Sequence, residues 1–316
     1  MRADGIVPAI HARLAQALAA PQGQYAAFSI DGHTVGWIDP ARTERLSAFA
    51  SVFVRAEGEI RLAATLAGRN ARTAAVDAVT RALAGEGLLS AWRDERYAIA
   101  VEFGAAPLVD IERAAARYFG IRTYAVHVNG LVRNGDDLAM WLARRSPTKA
   151  IDPGLLDNLV GGGIATGYGV LDTLRKEAWE EAGIPASVAA RARPEGSIDI
   201  CRAQPQGLQR ETVFVYDLEL DADFRPANQD GEAVEHRQLT MSDAAKLIAA
   251  DGGDDAVTAD ASLVILDCLL RHGALGPDRS DIRALSAFRH AVLEPAAQKN
   301  GRGAWPPGAQ SRPTRP

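Results

Sequence analysis

Cysteine is scarce in this 316-residue chain. Only Cys201 and Cys268 occur, with no Cys-x-x-Cys pair, so a zinc ribbon or a dithiol redox motif is excluded. Two isolated thiols read as buried, small apolar side chains in a reducing compartment. No apolar run approaches the ~20 residues that span a bilayer. His11 and Arg13 interrupt the first twenty residues, so no secretory h-region is expected there. The expectation is a soluble, cytoplasmic protein without a membrane partner. There is no Gly-x4-Gly-Lys-Ser/Thr loop and no His-Glu-x-x-His helix, which removes the commonest NTPase and zincin readings. A net charge of −5 implies no broad basic field, so nucleic acid is not an expected partner. No internal repeat is present.

What is present is ordinary globular composition, 47% hydrophobic and 24% charged, on a chain long enough for two units. Ile10, Leu14 and Leu18 predict a helix over 6–20. Asp31-Gly32 predicts a hairpin between Tyr25–Ile30 and Thr34–Ile38. Helices are expected at Pro40–Ala48, Thr73–Leu83 and around Ile111–Tyr118, and strands at Ile60–Ala64 and Tyr97–Phe103. Further strands are expected at Tyr124–Arg133, Leu138–Arg145, Ser197–Arg202, Thr212–Leu220 and Val234–Leu239. Two helices follow, Asp243–Ala250 with Ser242 as its cap, and Ala261–Arg271. The expected division is 1–115 as a small α+β unit, 116–280 as a second unit, and 281–316 as a C-terminal extension, disordered from about 295, where Pro, Gly and Gln accumulate.

The informative stretch is 161–184. A glycine-rich loop enters a helix that ends at Gly183, and Glu177, Glu180 and Glu181 share one helical face at i, i+3 and i+4. Leu171, Leu174 and Ala178 are expected to face the core, and Trp179, off the acidic face, to pack. Like charges so close repel, and a bound cation would neutralise them. Hard divalent cations take oxygen ligands and bridge carboxylates to phosphates, and glycines let a phosphate or metal approach the backbone. Spacing alone leaves two readings open: metal-dependent phosphate chemistry, or a solvated acidic face.

The same stretch resembles the Nudix box, a glycine-opened loop with a glutamate, followed by Arg-Glu-aliphatic-x-Glu-Glu-x-Gly-aliphatic. Gly162 opens it, and Lys176-Glu-Ala-Trp-Glu-Glu-Ala-Gly-Ile184 fills its second half in register. Two positions depart: Tyr168 stands at the first glutamate and Lys176 at the arginine. In the family these two residues brace the loop, so their joint loss predicts a replacement brace. Outside the box, Tyr124–Gly130, Arg144–Lys149, Asp152–Val160, Tyr216–Leu220 and Leu269–Gly273 are similar to one Nudix subfamily, in which an N-terminal domain associated with thiamine pyrophosphokinase precedes the catalytic domain. Ser29–Gly32, Val35–Ile38 and Trp92–Tyr97 fit that N-terminal domain.

The resemblance implies an α/β fold, a Nudix α/β/α sandwich with a mixed sheet, preceded by a smaller α+β domain. It implies a Mg²⁺- or Mn²⁺-dependent pyrophosphohydrolase acting on a small-molecule diphosphate. Thiamine diphosphate or its oxidised analogues would be cleaved to the monophosphate and phosphate. Glu177, Glu180 and Glu181 carry over as catalytic and metal-binding residues, and the Gly162 carbonyl as a further ligand. A later acidic residue, Asp230, Glu232 or Glu235, is expected near the metal. Arg133, Arg144, Arg145 and Lys149 are candidates for the diphosphate, with Arg144 and Arg145 on opposite strand faces. Glu232 and Glu235 join them as substrate-site candidates. His127 and the tryptophans Trp37, Trp92 and Trp141 are read as packing residues, and His236 as equally suited to a solvent-facing position. Two alternatives have their own tests. An isopentenyl-diphosphate isomerase-like enzyme would require a catalytic cysteine in the early strands, where neither Cys201 nor Cys268 lies. A non-catalytic binding module would show no metal dependence.

Overall fold

The computed structural model describes residues 3–19, 21–135, 137–277 and 279–290, so the tail expected to be disordered from about 295 lies outside the described residues. The first helix, α1, runs over Ala3–Ala17. Its buried side chains Val7, Ile10 and Leu14 recur at helical spacing, and Leu18 continues the stripe just past its end.

A small α+β unit follows. Strands β1 (Ala26–Ile30) and β2 (His33–Ile38) pair antiparallel around Asp31 and Gly32, whose φ angles of 51° and 81° suit the tight turn. Helix α2 (Pro40–Ser47) starts where the Asp39 side chain accepts the Arg42 N–H at 3.0 Å. Strands β3 (Phe53–Ala56) and β4 (Glu59–Leu62) complete a four-stranded sheet of order β2-β1-β4-β3. Helix α3 (Gly68–Gly85) buries Val76, Val79 and Leu83. Strands β5 (Arg96–Ile99) and β6 (Val109–Glu112) form a separate ladder. Phe28, Phe53 and Phe119 anchor this core with ring centroids 5.4–6.1 Å apart. The helix expected around Ile111–Tyr118 is instead β6 followed by a short 3₁₀ turn at Arg113–Ala115. Val109 and Ile111 bury into the ladder with β5, and that pairing overrides a run of helix-favouring alanines.

The second unit is built on β7 (Arg122–Asn134) and β8 (Asp137–Arg145), an antiparallel pair. The short strands β9 (Leu156–Asn158) and β10 (Val160–Gly163) pair with β8 and β7 respectively. Helices α4 (Val170–Ala182) and α5 (Ala186–Ala189) follow. Strands β11 (Arg193–Gln204), β12 (Gly207–Leu220) and β13 (Ala233–Thr240) complete a mixed sheet of order β11-β12-β7-β8-β13, in which β12 and β7 run parallel. Helices α6 (Met241–Ala249), α7 (Ala259–Arg271) and α8 (Ser280–Leu285) follow.

Period-two alternation sends Val126, Val128 and Val132 to the α4 face and Ala125 and Leu131 to the other, giving helix, sheet and helix layers. Three further expectations need correction. The cap of α6 is Thr240, whose hydroxyl accepts the Asp243 N–H at 3.1 Å, and Ser242 lies inside the helix. On α4 the buried stripe is Leu174, Ala178 and Ala182, leaving Leu171 and Trp179 51% and 52% exposed. Trp179 follows Ala178 by one residue, about 100° around the helix, and so turns outward.

The ends of the chain also depart from the expected division. The α1 stripe is buried with side chains of α6, α7 and the large sheet rather than with the first unit, and Ile282 and Leu285 of α8 join the same cluster. Arg13 ties α1 in place by donating to the carbonyls of Ile248 and Val257 and to the Ser262 hydroxyl.

Candidate functional site

The glycine loop leaves the sheet through β10, where Gly161, Gly162 and Gly163 pair with His127, Val126 and Ala125 of β7. Side chains would not fit here. A Cβ on Gly162 would lie 2.2 Å from Glu177 Cγ, and one on Gly163 would lie 2.0 Å from the Tyr97 hydroxyl. The first close approach lays the acidic helix against the loop, and the second brings in a residue of the first unit. The α4 helix ends at Gly183 with φ 65°, where Gly183 N–H and Ile184 N–H return to the carbonyls of Trp179 and Ala178.

The brace of the loop comes from the first unit. Thr166 donates its N–H to the Arg96 carbonyl at 2.7 Å and its hydroxyl to Asp110 Oδ1 at 3.1 Å. Arg69 in turn holds both Asp110 oxygens at 2.8 Å. Tyr168, at the position of the family's first glutamate, is 50% exposed. Lys176 instead reaches Glu177 Oε1 at 3.1 Å and Glu180 Oε2 at 2.7 Å.

The three glutamates occupy different settings. Glu181 Oε2 accepts the Gly161 N–H at 2.7 Å. Burial, reinforced by the neighbouring Glu177 charge, pushes the Glu181 carboxyl up to about 8, against the Gly161 hydrogen bond. Burial raises Glu177 as well, with Lys176 opposing it. Lys149 is shifted down, first by burial and then by Arg145, while Glu181 acts to keep it charged. Acidic and basic groups therefore meet at this end of the cleft.

Arg145 lines the cleft and is held by Asp157 at 2.8 Å and by the carbonyls of Ile151 and Asp152. Lys149 pairs with Glu232, which also takes Arg93 at 2.8 Å. Arg144 and Glu235 are not brought to the glutamates. They are tied to each other at 2.7 Å, with Arg144 also on Asp255, and Arg237 and Arg144 hold the Glu235 carboxyl down to about 2. This follows from strand alternation, which turns Arg144 away from the face that carries Arg145. Asp230 is spent on its own loop, accepting from Asn228 Nδ2 and the Glu232 N–H at 2.8 Å. Arg133 is 53% exposed and faces Glu219.

His127 is buried beneath Gly161 and pairs through Nδ1 with Asn158 Oδ1 at 2.7 Å. His236 Nε2 meets the Glu181 carbonyl at 3.1 Å. Trp141 is buried, and Trp92 stacks under Arg81 and donates to Asp94. Both cysteines are buried. Arg113 and Arg117 also line the cleft. Sequence reasoning missed both, because nothing in a first-unit arginine signals that the fold carries it to the second unit's site.

A hard divalent cation suits this donor set. Glu177, Glu180 and Glu181 supply carboxylate oxygen, the Gly162 backbone lies against Glu177, and the half-buried Glu177 and Glu181 carry charge that desolvation disfavours. The glutamate oxygens are not gathered within 4.8 Å, because Lys176 holds Glu177 and Glu180 while Gly161 holds Glu181. Among the described residues, Asp217, Cys268 and His272 do converge that closely, but Arg271 already occupies both Asp217 oxygens.

Comparison with known proteins accords with this arrangement. Residues 10–123 match a family model described as a domain of unknown function (DUF4743), and residues 123–261 match the NUDIX domain. The chain is 36% identical to Nudix hydrolase 20, chloroplastic, of Arabidopsis thaliana over 82% of this chain and 71% of that protein. It is likewise 36% identical to Nudix hydrolase 24, chloroplastic, of the same plant, over 81% of this chain and 70% of that one. Among solved structures, DR0079 of Deinococcus radiodurans is 26% identical with a TM-score of 0.42, covering 55% of this chain and 99% of that one. The chain belongs to the Nudix hydrolase family, whose members act on pyrophosphate bonds.

Proposed function

We propose that this protein is a Mg²⁺- or Mn²⁺-dependent pyrophosphohydrolase that cleaves thiamine diphosphate, or its oxidised analogues, to the monophosphate and phosphate. The observation that carries the reading is the meeting of Glu177 and Glu181 with the glycine loop on one side and Lys149 and Arg145 on the other. The thiamine assignment rests on the resemblance outside the glycine-rich box.

In this reading Glu177, Glu180 and Glu181, with the Gly162 carbonyl, hold the cation. When bound, the metal neutralises charge on the phosphoryl oxygens and makes water a better nucleophile. A glutamate of this set accepts the proton of the attacking water as a new P–O bond forms, and the bridging P–O bond breaks to release the monophosphate. Lys149 and Arg145 orient the phosphate oxygens, and the dense ion pairing around them keeps both side chains in place.

The test is a panel of diphosphates, with thiamine diphosphate and its oxidised forms included, assayed with Mg²⁺ and with Mn²⁺. Glu180→Gln and Glu181→Gln should each abolish metal-dependent phosphate release. Full activity in both variants would refute the assignment, and turnover of other diphosphates alone would refute the thiamine part.

A further inference from the structure

Three arginines of the first unit converge on the cleft of the second. Arg93, Arg113 and Arg117 share a cavity of about 130 Å³ with Arg145, Lys149 and Arg210. Glu211 is the one carboxylate in its lining. The cavity adjoins the acidic helix: Arg113 feels the Glu177 charge, Lys149 feels Glu181, and Tyr97, also in the lining, abuts Gly163.

The donors of the first unit are incompletely used. Arg93 gives one guanidinium nitrogen to Glu232, and Arg113 gives one to Glu95 while lying over the Tyr97 ring. The Arg117 side chain forms no hydrogen bond or ion pair among the described residues, although it is half-buried and feels the half-buried Asp260 charge. Each guanidinium carries five N–H donors and no acceptor, so the unused ones are open to water or to an oxyanion. At about 130 Å³ the cavity has room for a phosphoryl group together with its waters.

We infer that this cavity is a phosphate site, and that Arg113 and Arg117 of the N-terminal unit bind the terminal phosphoryl group of the substrate. The inference rests on the hydrolysis reading above and extends it. A substrate with a free terminal phosphate, a diphosphate monoester, fits this cavity. The N-terminal unit is thus part of the binding site.

Inorganic phosphate is the probe. Titrated calorimetrically into the full chain in EDTA at low salt, it should bind saturably. Arg113→Gln/Arg117→Gln should weaken that binding at least tenfold, and Glu180→Gln should leave it unchanged. Arg117→Lys, which keeps the charge and most of the packing, should recover part of the affinity, and thermal melts establish that each variant is folded. In turnover, Arg117→Gln should raise KM for a diphosphate monoester at least tenfold with a smaller change in kcat. Absence of saturable phosphate binding, or equal binding by the folded double variant, overturns the inference. If arginine-dependent phosphate binding persists but no diphosphate is hydrolysed, the site stands and the hydrolysis reading fails.

Discussion

The Thr166 hydroxyl lies 3.1 Å from Asp110 Oδ1, so a carboxylate of the first unit braces the glycine-rich loop of the second. Tyr168 and Lys176 stand where other family members have the Glu and Arg that brace this loop from within. Here Arg69, Asp110 and Thr166 form a chain of contacts that does the work from outside the box.

Thr166→Val keeps the shape of the side chain and removes its hydroxyl. A hydrogen bond of this kind is worth about 1 kcal/mol, so kcat/KM should fall roughly fivefold, with little change in melting temperature. Steady-state kinetics beside a thermal melt will decide, and an unchanged kcat/KM would mean that Asp110 serves the first unit alone.

Lys176 holds Glu177 and Glu180, both expected metal ligands, at 3.1 and 2.7 Å. It therefore competes with a divalent cation for those oxygens. Lys176→Met should tighten Mn²⁺ binding about threefold to fivefold, as expected for losing a partly exposed ion pair. Mn²⁺ titration followed by electron paramagnetic resonance measures this without turnover. Weaker binding in the variant would show that the lysine organises the carboxylates instead.

Gly162→Ala would put a methyl 2.2 Å from Glu177 Cγ. Glu177 must then move by about an ångström, a displacement that can cost on the order of 100-fold in rate. Activity should fall by that order while the fold is retained, and a variant with near-normal kcat would mean that the loop, not the glutamate, yields.

Glu181 gives a pH signature in the metal-free protein. Its folded carboxyl is raised to about 8, so from the ordinary glutamate range up to about 8 the folded state binds more protons than the unfolded state. Stability contributed by this group is thus present at low pH and lost as pH rises through that window. Between pH 6.5 and 8 in EDTA, wild type should lose melting temperature relative to Glu181→Gln, by about 1.5 °C for each kcal/mol in a chain of this length. Parallel melting curves for the two proteins would contradict the assignment.

The acidic helix was legible because its signal is local. Glu177, Glu180 and Glu181 declare a shared face by spacing alone, and Gly183 marks the helix end. The opposite orientation of Arg144 and Arg145 likewise follows from strand alternation. What could not be read were the contacts made across the chain. Nothing near Thr166 points to Asp110, and nothing near Arg117 points to a cleft formed with β8. Strand β3, Phe53–Ala56, is absent from the expected elements, although Val52-Phe-Val54 and the Glu57-Gly58 turn carry its signal. Trp179 lies off the acidic face, as its spacing from Glu177 implies, but a position off that face need not be buried, and its neighbour Ala178 holds the core position.

The location of α1 bears on the order in which the protein can be assembled. The helix is made before the first unit, yet its apolar face is covered by α6 and α7, which follow more than 220 residues later. During synthesis the first unit can fold on its own strands while this greasy segment waits beside it, exposed to proteases and chaperones. Once α1 docks, both ends of the first unit are fastened to the second, by the helix before it and by β7 after it. Its arginines are then held over the cleft by two attachments rather than swinging from one.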